Sequence, residues 1–238
     1  MPDGTRRYVH PVTGEVVPSV TTVLKVLNKP ALDGWGARVA AQYADANWEE
    51  LSGLESRVRV DRIKMAHKNE SRRAADLGTM IHEICEKFAT GNPSRIPKAA
   101  DPYMNQFINF LADIRPRFLE NEVTVWSRKY GYAGTADALA LIEGEITVID
   151  WKTGKGIYPE HGLQLAALSH ADFVIRPAGT EEELLPVVKH AIVHLRPRGW
   201  KFVPVFEATQ CFSAFLACKQ LHYWQNEVAP DVFQQEGN

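Results

Sequence analysis

Between residues 122 and 152 the chain reads as three β-rich segments with one dominant turn, and this stretch limits the fold more than any other. Residues 122–130 (EVTVWSRKY), 133–142 (AGTADALALI) and 146–152 (ITVIDWK) are rich in β-branched and aromatic residues, with glycines between them. Glu143-Gly144 is the good turn signal of the region. A two-residue hairpin loop there sets 142 opposite 145 and, in the same register, Asp137 opposite Asp150. Directly opposed Cβ atoms sit about 4.5–5.5 Å apart. Lys152, two residues further on, points to the same face as Asp150. A three-residue loop would slip the register by one and break this alignment.

Two carboxylates opposed across a ladder are unfavourable unless something compensates them. A hard divalent cation with oxygen ligands is one solution. Lys152 alone, in a structural ion-pair cluster, is a second, and solvation on an exposed face is a third. The third segment helps to choose. Ile146 and Val148 share the face of Asp150 and Lys152, while Ile149 and Trp151 lie on the other. Both faces are substantially apolar, as in an internal strand. Charges there are expected to be partly buried and to need a partner.

Around this centre the pattern is mostly helical on the N-terminal side. Residues 7–18 read as a small hairpin turning at Thr13-Gly14. Ser19 is an N-cap candidate for a helix over 20–27, stopped at Asn28-Lys29-Pro30. Helices are expected over 31–47, 57–90 and 101–119, with Pro116 fraying the last. After the three strands come a helix at 159–173, a polar acidic loop at 177–186, strands at 187–195 and 200–207, and a closing helix at 209–228. The expected fold is α/β: a mixed central sheet flanked by helices, with a helical N-terminal elaboration. Residues 1–56 are expected to form that elaboration and 57–238 the core.

The 238 residues carry 27 Lys+Arg against 29 Asp+Glu, a net charge of −2 that excludes a uniformly basic coat protein but leaves room for a local basic track. Such a track lies at 57–73, where Arg57, Arg59, Arg62, Lys64, Lys68, Arg72 and Arg73 stand against Asp61 and Glu70. Cys85, Cys211 and Cys218 match no disulfide framework and no zinc pattern, and read as reduced cytosolic thiols. There is no apolar leader at the N-terminus and no apolar run of the roughly 20 residues that a membrane span needs. A cytoplasmic location, in a bacterial or phage-infected cell, is expected.

At Gly134-Thr135-Ala136-Asp137 and Ile149-Asp150-Trp151-Lys152-Thr153 the chain resembles the PD-(D/E)xK nuclease superfamily, in its RecB-like exonuclease branch. That branch has an Asp on one strand and Asp/Glu-x-Lys on the next. It also has a helix with G-x-x-x-H-x-x-x-E upstream, matched by Gly78, His82 and Glu86, and a later helical Gln, matched by Gln164. The GTAD/DWKT form is similar to that of phage and mitochondrial genome-maintenance exonucleases. The resemblance covers about residues 70–170 in order. It departs from the branch at Leu168, where a Tyr often stands four residues after the Gln, and in offering three cysteines where an iron–sulfur cluster needs four.

The resemblance implies a restriction-endonuclease-like fold and a Mg²⁺- or Mn²⁺-dependent deoxyribonuclease without an iron–sulfur cluster. It implies that His82, Asp137, Asp150 and the backbone carbonyl of Trp151 hold the metal, that Lys152 serves the attacking water or the phosphate, and that Gln164 positions metal water or substrate. Glu122 is an extra acid candidate, and Glu86 an i,i+4 partner of His82. DNA, single-stranded or end-bearing, is the implied partner, with replication or recombination proteins beside it. Arg62, Lys64, Lys68, Arg72 and Arg73 are candidate phosphate contacts. Tyr130, Tyr132 and Tyr158 are candidate stacking platforms for bases. A structure-selective endonuclease and an inactive DNA-binding module of the same fold remain the alternatives.

Overall fold

A computed structural model describes residues 5–28 and 30–232, without the side chains of 30–33; Lys29, part of the expected stop after the first helix, lies outside. Contacts group the chain into two compact units, Met1–Leu27 with Ile81–Asn238, and Asn28–Met80. This grouping keeps the N-terminal hairpin with the sheet and divides the chain at 27/28 and 80/81 rather than at 56/57.

The larger unit opens with the hairpin β1 (Arg7–Val9) and β2 (Val16–Pro18), followed by the single turn α1 (Val20–Val23) and a 3₁₀ turn over Leu24–Val26. Ser19 caps α1, its Oγ accepting from the Thr22 N–H at 3.0 Å. The smaller unit is helical: α2 (Pro30–Ala46), α3 (Trp48–Ser52) and the first part of α4 (Ser56–Ala89). The residues of α4 from Ile81 onward belong to the larger unit, as does α5 (Asp101–Ile114). Cys85 approaches Met104 and Phe88 meets Phe107 edge-on, so this end of α4 packs on α5.

The sheet has seven strands: β3 (Arg117–Ser127), β4 (Tyr132–Ile142), β5 (Glu145–Lys152), β6 (Phe173–Ile175), β7 (Glu181–Glu183), β8 (Lys189–Arg196) and β9 (Gly199–Pro204). Their order is β7-β6-β3-β4-β5-β8-β9. Only β5 and β8 are parallel; the other neighbours are antiparallel. One face carries α1, α6 (Pro159–Ser169) and α7 (Ala208–Tyr223), with Val20, Val123, Tyr132, Leu139, Val148, Leu165 and Phe215 in a shared core. The other packs on α5, where Phe107 and Phe110 meet Trp151 edge-on at 5.3 and 5.9 Å. The expected mixed sheet flanked by helices is therefore present, consistent with a restriction-endonuclease-like core. No helix among the described residues is long and apolar enough to cross a membrane.

Three expectations are corrected. The helix drawn to residue 119 ends at Ile114, since Arg115 turns left-handed (φ 53°) before Pro116, and β3 begins at Arg117 rather than 122. The helix drawn to 173 ends at Ser169, leaving Phe173–Ile175 to pair with β3. The acidic loop at 177–186 contains the edge strand β7, whose Glu181 and Glu182 are neutralised by Arg128 and Arg176.

Candidate active site

The β4–β5 hairpin sets the register of the site. Glu143 and Gly144 both have positive φ, 51° and 85°, as a two-residue type I′ loop requires. The pairs run from Ile142↔Glu145 to Ala138↔Ile149, the expected register. Beyond them the Trp151 N–H donates to Asp137 Oδ2 at 2.7 Å, so a side chain takes over from the ladder.

On β3 and β4 the alternation of faces changes at this same level. Tyr132, Gly134 and Ala136 face α6: Tyr132 donates its hydroxyl to the Ala167 carbonyl, and a Cβ on Gly134 would come within 2.5 Å of Leu168. Leu139 lies on that same core face, so the parity of β4 shifts between Ala136 and Leu139. On β3 the pairs Asn121↔Ala138 and Val123↔Ala136 flank Glu122, whose φ is 47°. The unpaired row is thus Glu122 and Asp137. A left-handed non-glycine residue costs of the order of 1 kcal/mol and is worth tracing to a function.

The shift sends the two aspartates to different neighbours. Asp137 Oδ2 lies 3.3 Å from His82 Nδ1 on α4. Asp150 is buried; its Oδ1 accepts from Gln164 Nε2 at 2.9 Å, and its Oδ2 lies 2.5 Å from Lys152 Nζ. Lys152 in turn donates to Gln164 Oε1 at 3.2 Å. Asp150, Lys152 and Gln164 therefore close a three-membered ring between β5 and α6. Burial raises the Asp150 carboxyl above its ordinary value, and Lys152 opposes that shift without cancelling it. Burial also works against a charged His82, yet its hydrogen bond to Asp137 and the charges of Asp137 and Asp150 leave it raised.

The residues suit a hard or borderline divalent cation. The ligand atoms of His82, Glu122 and Asp137 all lie within 4.8 Å of one another. Asp150 Oδ2 is buried and, apart from its ion pair with Lys152, has no hydrogen-bond partner. One imidazole with several carboxylates is a donor set that Mn²⁺ or Mg²⁺ accepts. Glu122 remains exposed, but desolvation together with the charges of Asp137 and Glu86 pushes it up to about 7.

Other expected site residues fare differently. Tyr132 is fully buried, stacked edge-on against Phe215 and hydrogen-bonded to Ala167, so it is a core residue and not a stacking platform for a base. Tyr130 is partly buried against Phe212, while Tyr158 is 44% exposed beside His161 at the start of α6. Arg62, Lys64, Lys68, Arg72 and Arg73 are exposed on the part of α4 that belongs to the smaller unit, and Arg62 pairs with Glu50. Leu168 is filled in for a physical reason: it packs where a Cβ on Gly134 would otherwise stand.

Neither the protein-family models nor the curated proteins contain a match. Among solved structures, SSO0001 is similar at 15% identity and a TM-score of 0.35, covering 78% of this chain and 85% of that one. The alkaline exonuclease LHK-Exo from Laribacter hongkongensis is similar at 15% identity and a TM-score of 0.32, covering 66% of this chain and 91% of that one. At this level of similarity neither bears on what the chain does.

Proposed function

We propose that the chain is a divalent-metal-dependent DNA exonuclease, hydrolysing phosphodiester bonds of single-stranded or end-bearing DNA in replication, recombination or repair. What carries the reading is the meeting of His82, Asp137, Asp150, Lys152 and Gln164 from four separate elements, each in direct contact with at least one other. Structural ion pairs seldom need an amide, an imidazole, two carboxylates and an ammonium converging at the end of two strands.

His82, Asp137 and Asp150, with the Trp151 carbonyl, would hold Mg²⁺ or Mn²⁺. When bound, such a cation supplies a Lewis acid for the phosphate and lowers the pKa of a bound water. Lys152 offers a compact positive charge whose position is fixed from two sides, by Asp150 and Gln164. It stabilises the extra negative charge of the pentacovalent phosphate or holds the attacking water. Gln164 bridges acid and lysine, so it orients both. The basic run of α4 supplies phosphate contacts, and Tyr130 and Tyr158 are the remaining candidates for stacking on unpaired bases.

The test is cleavage of end-labelled linear single strands, linear duplex and circular DNA with Mg²⁺, Mn²⁺ or EDTA, beside Asp150→Ala. Metal-dependent loss of linear DNA is expected, with circles spared and the variant at least about 10²-fold slower. Cut circles would establish an endonuclease instead. DNA bound but never cut, with either metal, would sink the enzyme reading.

A further inference from the structure

We propose that Glu122 is a ligand of the same cation, completing a His82–Glu122–Asp137 triangle that the family pattern does not assign. The inference rests on the metal-dependent reading above and adds a residue to it. The three side chains come from α4, β3 and β4, and each offers a ligand atom within 4.8 Å of the other two. Glu122 makes no hydrogen bond or ion pair among the described residues. Asp137 and Glu86 act on it as like charges, which the more weakly acting His82 and Arg6 offset only in part. A free carboxylate in such a position is unfavourable, and a bound cation turns that repulsion into attraction.

The backbone points the same way. Asn121 and Val123 keep their partners on β4, yet Glu122 between them is left-handed. Glycine would adopt that conformation without strain. A glutamate there keeps a carboxylate beside Asp137 at a conformational cost. Asp150 is held differently, both its oxygens being engaged by Lys152 and Gln164. Glu122 therefore supplies the site with a carboxylate free to bind, on the side where Asp137 and His82 already meet.

The experiment measures Mn²⁺ binding to the metal-free full chain, without DNA, by calorimetry and by the loss of the free-ion paramagnetic resonance signal. Glu122→Gln is expected to weaken binding about tenfold or more, as loss of a charged ligand does. Glu86→Gln, which removes a nearby charge outside the triangle, is expected to change it by less than about threefold. Glu122→Gly relieves the left-handed backbone and is expected to lose as much affinity as Glu122→Gln. Wild-type affinity in Glu122→Gln or Glu122→Gly overturns the assignment, and so does an equal loss in Glu86→Gln. If the unaltered chain takes up no Mn²⁺, both this assignment and the metal-dependent reading fall. If it binds and only the Glu122 variants behave as wild type, this assignment falls alone.

Discussion

The two antiparallel ladders that share β4 behave differently at the site. Toward β5 the pairing runs without a break from the Glu143-Gly144 turn to Ala138↔Ile149, and the acid beyond it, Asp150, is enclosed by Lys152 and Gln164. Toward β3 the pairing is bulged between Phe118 and Glu120 and interrupted at Glu122, and the acids on that side, Glu122 and Asp137, lie beside each other and His82, with one backbone N–H donating to Asp137. A regular ladder delivers a side chain to a fixed place, where neighbours can be built around it. An interrupted one re-aims side chains and leaves them open to a ligand. The site appears where the two kinds meet, on one strand.

The sharpest way to break this contrast is Lys152→Ala. It leaves the buried Asp150 charge without its cation, a defect worth about 3 kcal/mol. On the proposed nuclease reading, cleavage should fall about 10²-fold or more, because the positive charge assigned to the phosphate is removed. Chemical denaturation reads the first effect and single-turnover cleavage the second. An unchanged denaturation midpoint would mean that Asp150 takes up a proton instead, and that the regular side is not held by charge. Next in size is Gln164→Leu, which strips Asp150 Oδ1 of its donor and Lys152 of its acceptor. A loss of about 1–2 kcal/mol is expected. A loss below the error of the measurement would show that water replaces the amide and that the ring is not closed in solution.

The same contrast explains what could be read from the amino-acid order. The hairpin register follows from one turn dipeptide and the strict period of two, and it holds from Ile142↔Glu145 to Ala138↔Ile149. The change of parity at Glu122 and Asp137 was not legible, because a left-handed glutamate inside a β-rich run has no sequence signature. The short strands β6 and β7 escape a sequence reading for a similar reason. Three residues are too few to show a period, and an acidic strand becomes tolerable only once Arg128 and Arg176 are brought to it by the fold. Tyr132 was misjudged because glycines beside an aromatic suggest a loop. Here they permit close packing, with Gly134 making room for Leu168 and Val20.

β8, the parallel neighbour of β5, extends the comparison to pH. His190, paired in register with Val148, is buried and hydrogen-bonded through Nε2 to Ser169 Oγ at 2.6 Å. Burial, with the nearby His170, lowers its pKa from 6.5 to about 4. A depressed histidine is neutral in the folded chain while the unfolded chain protonates, so stability is full above about pH 6.5 and is lost as pH falls toward 4. Denaturation midpoints measured from pH 7.5 to pH 4 should decline for the unaltered chain and decline less for His190→Gln. Equal slopes would place the acid sensitivity elsewhere, and not in the interrupted carboxylate row, where Glu122, pushed up to about 7, favours the folded chain as pH falls.

The smallest expected effect tests whether the regular ladder depends on its turn. Glu143 holds φ 51° with nothing but its hairpin position to demand it, and its side chain is exposed. Asparagine visits the left-handed region more readily and is favoured in type I′ loops. Glu143→Asn should therefore stabilise the chain by a few tenths to about 1 kcal/mol, read as a raised thermal midpoint, with cleavage unchanged. The outcome has a direct bearing on Asp150. If the turn is what fixes the register, relieving its strain leaves the site untouched and only steadies it. A lowered midpoint would mean that the Glu143 side chain contributes more than its backbone costs, and that the ladder itself, through Val148 and Ile149 in the core, sets the register whatever the turn prefers.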